Sequence, residues 1–446
     1  MSHTPPGANE PTCFPYVHSG EPGLPAWQRV RAEGLPLRQA ISSGLAYLRK
    51  YRRAKYSAPP EEVRYFDHQR QLLRRLMTTG PATGPRLGMV GDIMWLRDSW
   101  QTFLAPEVLG YLNGHEFVLG NLETVISSRF RVPSFWPDYF TYNSHPALVT
   151  SFARPDGRST FSALATCNNH CTDRGDDGLR DTLDFLDGLR IAHAGVRRRA
   201  DEAPFVVVET GGVSLGFYAA CWGLNNPAQI SRSALHIEVL PGLVPRVIHP
   251  VDLSRIRRAL EGMDAAGADF KVVSLHWGYE FEFYPDPDVV RIGREIIRAG
   301  ADVVMGTHPH VIQPLEVCFV NGYERRYGDD LAALRPETGC VIEDGRGTPR
   351  KGLIAYSLGN FATAMFTLHC RTGLVLSVRL GRDEQTGRLD WHRPEMQLVF
   401  NVPRDPATRQ RRLVLLDNWL GQQEQRGDRA QGLRDLAGFL HRHLAG

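Results

Sequence analysis

The chain has 446 residues, 42% apolar and 23% charged, an average globular composition that excludes a disordered chain, a collagen-like repeat and a membrane bundle. Its 52 basic and 49 acidic residues leave a formal charge of +3, too near neutral for a protein that binds nucleic acid over its whole surface. Seven scattered cysteines, an odd number, make no disulfide framework and suit a reducing, cytoplasmic setting.

The start, Met1 to Glu10, has neither the basic nor the apolar region of a signal peptide, and no apolar run approaches the roughly 18–20 residues that span a bilayer. A Pro/Gly/Ser-rich leader runs to about Pro25. Leu35, Leu37, Ile41, Leu45 and Leu48 then recur at helical spacing, and Val63, Phe66, Leu72, Leu73 and Leu76 predict a second helix. Between them, Tyr47–Tyr56 is basic with interleaved tyrosines; it reads as a solvated helix face, with an anionic partner as the alternative. Thr79–Pro85 has linker composition. Residues 1–84 therefore form a leader and helical extension, 85–400 one large domain and 401–446 a helical tail.

Past the linker, strands are expected at Leu87–Val90, Phe117–Gly120, Phe161–Thr166, Phe205–Val208, Ser214–Ala219, Val272–Leu275, Val303–Met305, Leu353–Tyr356 and Leu374–Val378. Helices are expected near Asp177–Leu189, Leu253–Ala266 and Asp288–Ala299, an alternation that predicts a layered α/β domain. In the tail, Leu413, Leu415, Leu416 and Leu420, then Leu433, Leu436, Leu440 and Leu444, predict one or two helices.

The functional signal lies where rare polar residues follow those strands. Five apolar runs end in Gly91-Asp92, Gly120-Asn121-Leu122-Glu123, Asn168-Asn169-His170, His276-Trp277-Gly278 and Thr307-His308-Pro309-His310. A sixth ends in Ser357-Leu358-Gly359-Asn360. Each alone has an ordinary explanation: a turn, a helix cap, a structural histidine. Together they place carboxylates, amides and imidazoles beyond the carboxyl ends of strands, where layered α/β sheets bind ligands. Such mixed nitrogen and oxygen donors suit Zn²⁺, Fe or Mn²⁺ rather than a Ca²⁺ cage. His308 and His310, two residues apart in extended backbone, point the same way. Cys167 and Cys171 lack the second close pair of a thiolate zinc site and read as small buried apolar residues.

In this order, and with Asp173, Gly175, Glu280, Gly306, Gln313, Tyr356 and Phe361 around them, these motifs resemble the CapA family of poly-γ-glutamate capsule biosynthesis proteins, over roughly residues 86–380. That family is similar in turn to calcineurin-like metallophosphoesterases. The resemblance implies a four-layer α/β/β/α sandwich, here flanked by the helical extension and tail. It implies one or two divalent ions (Mn, Fe or Zn) on Asp92, Glu123, Asn169, His276, His308 and His310. It makes His170 the proton donor to a leaving group, with Asp173 orienting its ring. Asn168, Glu280, Gln313 and Asn360 would line the substrate pocket, and Arg97 would either neutralise an anionic substrate or serve at the surface. Two departures stand out: Met94 occupies the imidazole position of the phosphoesterase motif Asp-x-His, and Glu123 is one methylene longer than an aspartate. Family members that build capsules are membrane-anchored near the N-terminus; the amphipathic extension here points to a cytoplasmic relative. The implied activity is hydrolysis by metal-activated water of a phosphoester or a γ-glutamyl-type amide, in poly-γ-glutamate or related biosynthesis, with an anionic small molecule or polymer as substrate and no specific nucleic acid. The alternative is a non-catalytic component that binds or assembles the polyanion, with a degenerate metal site.

Overall fold

A computed structural model describes residues 45, 47–133, 141–240, 243, 251–327, 339–425 and 430–444. The leader and Leu35, Leu37 and Ile41 of the first expected helix lie outside these described residues. The strands are β1 (Arg86–Met94), β2 (Phe117–Glu123), β3 (Ala163–Ala165), β4 (Ala192–Ala194), β5 (Val196–Arg197), β6 (Phe205–Thr210), β7 (Val213–Cys221) and β8 (His236–Ile237). They continue with β9 (Phe270–His276), β10 (Val303–Thr307), β11 (Leu315–Val320), β12 (Cys340–Ile342), β13 (Arg350–Ala355), β14 (Asn360–Ala362), β15 (Thr372–Arg382), β16 (Leu389–Val402) and β17 (Arg412–Leu415). The longer helices are α1 (Pro60–Leu76), α2 (Pro106–Asn113), α3 (Gly175–Gly188), α4 (Ser254–Ala265), α5 (Pro287–Ala299), α6 (Leu416–Gln425) and α7 (Gln431–Leu444).

One sheet has the order β17-β16-β15-β1-β2-β3-β4, with β14 pairing onto the end of β1. The other runs β12-β11-β13-β10-β9-β7-β6, and β5 and β8 form a small separate ribbon. β1 to β4 are mutually parallel, as are β7, β9, β10 and β13. Parallel strands are buried on both faces, which is why they read as short continuous apolar runs in the sequence.

The pleat sends alternate side chains to opposite faces. Val272, Val303, Met305 and Leu353 of the second sheet join Met89 and Leu119 of the first in one shared core. Their neighbours Val273, Val304 and Ile354 pack instead with Ile256 and Leu260 of α4 and Ile292 and Ile296 of α5. The second sheet is thus covered by the first sheet on one side and by helices on the other, and the layered α/β expectation holds. Helix α5 is well bounded: Asp286 caps it, Pro287 opens it and Gly300, at φ 118°, ends it.

The tail differs from expectation. Leu413 and Leu415 are strand residues on β17, which pairs with β16 and so continues the first sheet past residue 400. A short apolar run is ambiguous between helix and strand, and the partner strand decides it. Helices begin only at Leu416, where α6 and then α7 carry the remaining leucines into the core.

Tyr47–Tyr56 leaves Arg49, Arg52 and Arg53 exposed, as expected of a solvated face, but its tyrosines pack on the domain. Tyr47 and Tyr51 set their edges on Phe281, at 5.5 and 5.3 Å between centroids. Tyr56 stacks on Phe283 at 4.4 Å. The Lys55 N–H donates to Phe281 O at 2.8 Å, and Phe283 N–H donates back to Lys55 O at 2.9 Å. Lys50 and Lys55 both pair with Glu282. Among the described residues, no helix is long and apolar enough to cross a membrane.

Candidate metal centre

The polar groups that follow the strands meet where the parallel strands of both sheets end. β1 delivers Asp92 there, next to Asn121 of β2 and Asn360 of β14 in register. Gly91 is required by close approach, because a β-carbon on it would lie 1.9 Å from Gly359 O. The Asp92 carboxylate accepts from Asn121 Nδ2 at 2.7 Å and from the His308 N–H at 3.2 Å. From the other sheet, β9 and β10 end side by side with His276 opposite Thr307.

Beyond β10 the backbone is not extended as expected. His308 and His310 take φ values of 96° and 58°, left-handed conformations costly for residues with a β-carbon and typical of strained functional turns. The turn aims the His308 N–H at Asp92 and sets His310 Nδ1 3.0 Å from Asn360 Oδ1 and 3.4 Å from Asp92 Oδ2.

Two buried triads result. Asp92, Glu123 and His310 bring ligand atoms within 4.8 Å of one another, and so do Glu280, His308 and His310. Glu123 is fully buried, and neither of its carboxylate oxygens has a hydrogen-bond donor among the described residues. An Asp92 carboxylate oxygen lies within 4.8 Å of it, while His276 Nε2 and His310 Nε2 stand 3.6 and 3.9 Å from Oε1. Glu280 Oε2 and His308 Nδ1 are likewise buried without a hydrogen-bond partner among the described residues.

Burial, then the charges of Asp92 and Glu280, push the Glu123 carboxyl well above the usual range. Burial and the neighbouring imidazoles push His276 and His308 well down. Burial lowers His310 too, but the contact and charge of Asp92, the charge of Glu280 and the bond to Asn360 together outweigh it and raise His310. Buried polar atoms normally have partners, so a cluster of orphaned acid and imidazole atoms fits a divalent cation taking the place of protons.

The remaining expected residues fall around these triads. His170 Nδ1 lies 2.6 Å from Asp173 Oδ2, and its ring stacks on Tyr142 at 3.7 Å. Asn169 Oδ1 bonds His276 Nε2 at 2.8 Å, and its Nδ2 donates to Asn225 Oδ1 at 3.0 Å. Asn168 holds its own loop, donating to Leu122 O at 2.8 Å and accepting from the His170 N–H at 3.1 Å. Gln313 donates to Glu282 O at 2.8 Å, and Asn360 donates to Cys370 O at 2.8 Å while contacting His310. These three amides, expected on a pocket wall, are thus engaged within the chain.

Met94 is buried and its sulfur accepts from Thr363 Oγ1 at 3.5 Å. Arg97 lies over the rings of Trp95 and Phe366, at 5.1 and 5.5 Å. Cys167 and Cys171 are buried, as expected. Tyr142 and Asn225, which no motif flagged, also reach the site. Each arrives from a separate loop or segment, so no local spacing could announce it.

The family model for the bacterial capsule synthesis protein PGA_cap matches residues 86–365, a span that includes every strand-end group above. The chain is 25% identical over 315 residues to the capsule biosynthesis protein CapA of Bacillus anthracis, covering 68% of this chain and 65% of that one. It is 30% identical over 159 residues to the PGA biosynthesis protein CapA of Bacillus subtilis, covering 35% and 39%. The chain thus spans less than two thirds of either relative's length. Among solved structures it is similar to a phosphatase of Mycoplasma pneumoniae, with 10% identity, 71% and 94% coverage and a TM-score of 0.35. With well over half its length inside the match, the chain belongs to the PGA_cap family of bacterial capsule synthesis proteins.

Proposed function

We propose that this protein is a metal-dependent hydrolase of poly-γ-glutamate or related biosynthesis, acting on a γ-glutamyl-type amide or a phosphoester within an anionic substrate. The relatives named for capsule and PGA biosynthesis support the pathway. The chemistry rests on one observation: Glu123, buried beside Asp92, His276 and His310, has two carboxylate oxygens and no hydrogen-bond donor for either among the described residues.

Asp92, Glu123, Asn169, His276, His308 and His310, with Glu280 close by, would hold one or two ions. A divalent cation there (Mn, Fe or Zn) supplies Lewis acidity and brings the pKa of water toward neutrality. His170 gives a proton to the departing group from Nε2, because Asp173 engages Nδ1 and fixes the ring. Tyr142, stacked on that ring and donating its N–H to Asp173 Oδ2 at 2.5 Å, holds the pair in place. We place the protein in the cytoplasm, in keeping with the free thiols of the six described cysteines.

Elemental analysis of protein purified without added metal tests this reading, comparing wild type with the His308→Ala/His310→Ala variant. Metal in the wild type and none in the variant is the expected result. No metal in the wild type, even after incubation with Mn²⁺, Zn²⁺ and Fe²⁺, overturns it. That outcome promotes the second reading, a non-catalytic polyanion-binding component, which is favoured by Met94 standing where the phosphoesterase motif has an imidazole and bonding Thr363 instead.

A further inference from the structure

We propose that Arg97, Arg371 and Arg411 form an anion-binding subsite beside the metal centre, which takes a carboxylate of an acidic, peptide-like polymer away from the bond that is cut. The proposal rests on the hydrolase reading above and selects a polymer over a small molecule as its substrate.

Two routes lead from the centre to these arginines. On one side the His170 ring stacks on Tyr142 at 3.7 Å, and Tyr142 stacks on Trp95 at 5.7 Å, the rings 6° from parallel. The Arg97 guanidinium lies 5.1 Å from the Trp95 ring and 5.5 Å from that of Phe366, which is 55% exposed. On the other side Asn360 touches His310 at 3.0 Å and the Met365 sulfur at 3.2 Å, and Met365 O accepts from Arg371 Nε at 3.0 Å. Phe366 follows Met365 in the chain, so both routes close on one rim. Arg411 joins it through Asp98, whose carboxylate lies 3.2 Å from Arg411 Nε and 3.7 Å from Arg404 Nε.

Positive charge gathers on this rim. Asp98 already faces two guanidiniums, and Asp405, next to Arg404, accepts from the N–H groups of Ala407 and Thr408 in its own turn. Burial, then the charge of Arg411, hold Arg97 and Arg371 below their ordinary values, as like charges brought together do. A planar guanidinium laid on aromatic rings turns its N–H fork sideways, the geometry that binds carboxylates. Two rings separate Arg97 from His170, so an anion held here is not the group that departs with the proton of His170. It belongs to another unit of a substrate that repeats its charge. A γ-linked glutamyl chain has that form, since each unit keeps its α-carboxylate.

The test is binding of a dye-labelled γ-linked glutamate oligomer to the full chain, read by fluorescence anisotropy in EDTA. Unlabelled γ-glutamyl-glutamate dipeptide and inorganic phosphate serve as competitors, and thermal unfolding in EDTA runs alongside. Arg97→Gln and Arg371→Gln should each weaken oligomer binding at least about tenfold with an unchanged midpoint. Arg371→Lys keeps the charge and loses the fork, so its affinity should fall between wild type and Arg371→Gln. Neither competitor should displace the oligomer at equal concentration. Wild-type affinity in both glutamine variants overturns the proposal, as does a wild type that does not bind the oligomer. A loss confined to variants whose midpoint also falls marks a packing role and overturns it too. Displacement by phosphate or by the dipeptide makes the rim a site for small anions, with the same consequence. The readout needs no metal, so the two readings can fail separately. A chain that holds no ion but loses the oligomer with these arginines keeps the subsite and forfeits the hydrolase reading; a metal-loaded chain with equal affinity in every variant loses the subsite alone.

Discussion

Two buried glutamates, Glu316 on β11 and Glu123 at the end of β2, look alike by every coarse measure. Both are fully buried, and both sit in clusters compact enough to hold an ion, Glu316 with Cys318 and Cys340. Their partners separate them. Glu316 Oε1 accepts from Arg294 Nε at 2.9 Å, Arg294 Nη2 at 2.7 Å and the Tyr65 hydroxyl, and Oε2 accepts from the Tyr356 hydroxyl. Gln69 extends the network, donating to Tyr65 OH at 3.1 Å and accepting from the Val317 N–H at 2.8 Å. Glu316 therefore has its cation already, a guanidinium, and ties α1 and α5 to β11. Glu123 has none. Burial of a carboxylate does not mark a site; an incomplete set of partners does.

Substitution sharpens the contrast. Glu316→Gln leaves Arg294 buried without its counter-charge, and should lose about 3–5 kcal/mol of unfolding free energy in urea. Glu123→Gln, measured in EDTA, should stay within about 1 kcal/mol of wild type or gain, because it removes a carboxyl crowded against Asp92 and Glu280. Equal losses in the two variants would break the comparison. Adding Mn²⁺ separates them further. At roughly a hundredfold excess over Kd, wild type and Tyr356→Phe should each gain about 2.7 kcal/mol, and Glu123→Gln should gain none. A full gain in Glu123→Gln, read from the urea midpoint, would take Glu123 out of the ligand set.

A third buried group, an imidazole, ties stability to pH. His443 on α7 donates from Nε2 to Phe283 O at 2.8 Å, so it supports the loop that carries Glu280. Burial pushes it down to about 3. A depressed imidazole favours the neutral form in the fold, so its contribution is complete above about pH 6.5 and is lost as pH falls from there toward about 3. The slope is about 1.4 kcal/mol per pH unit for a single group. His443→Gln keeps a neutral donor, so urea midpoints taken from about pH 7 down to pH 5 should fall less steeply in the variant. Parallel profiles would show that His443 charges freely in the fold.

The sequence made the parallel strands legible because burial on both faces leaves uninterrupted apolar runs, and the polar residues that end them stand out. Asp92, Glu123, His276, His308 and His310 could be found in that way. β16 and β17 could not: at the sheet edge, polar and apolar residues mix in Trp391-His392-Arg393-Pro394-Glu395, and pairing alone defines the strand. The left-handed turn at His308 and His310 depends on Asp92 and Asn360, which lie far away in the chain. Asn168 and Gln313 carried pocket chemistry by residue type, yet the fold engages their amides on backbone carbonyls. Glu316, a lone acid inside the apolar run Leu315–Val320, gives no such signal, and only its partners in three dimensions show that it is paired.

The smallest effect is expected at Met94, and it bears on how many ions the centre takes. The side chain is buried, with Thr363 Oγ1 3.5 Å from its sulfur. Met94→Leu conserves volume, so it should lower stability by less than about 1.5 kcal/mol and leave the metal content per chain unchanged. Elemental analysis of that variant beside wild type reads the outcome. If the metal content falls, the thioether is itself a ligand, and the softer donor would favour a softer ion than Mn²⁺. If the content holds, Met94 belongs to the wall, and the Asp92 side of the centre must be satisfied by Asp92, Glu123 and the histidines alone.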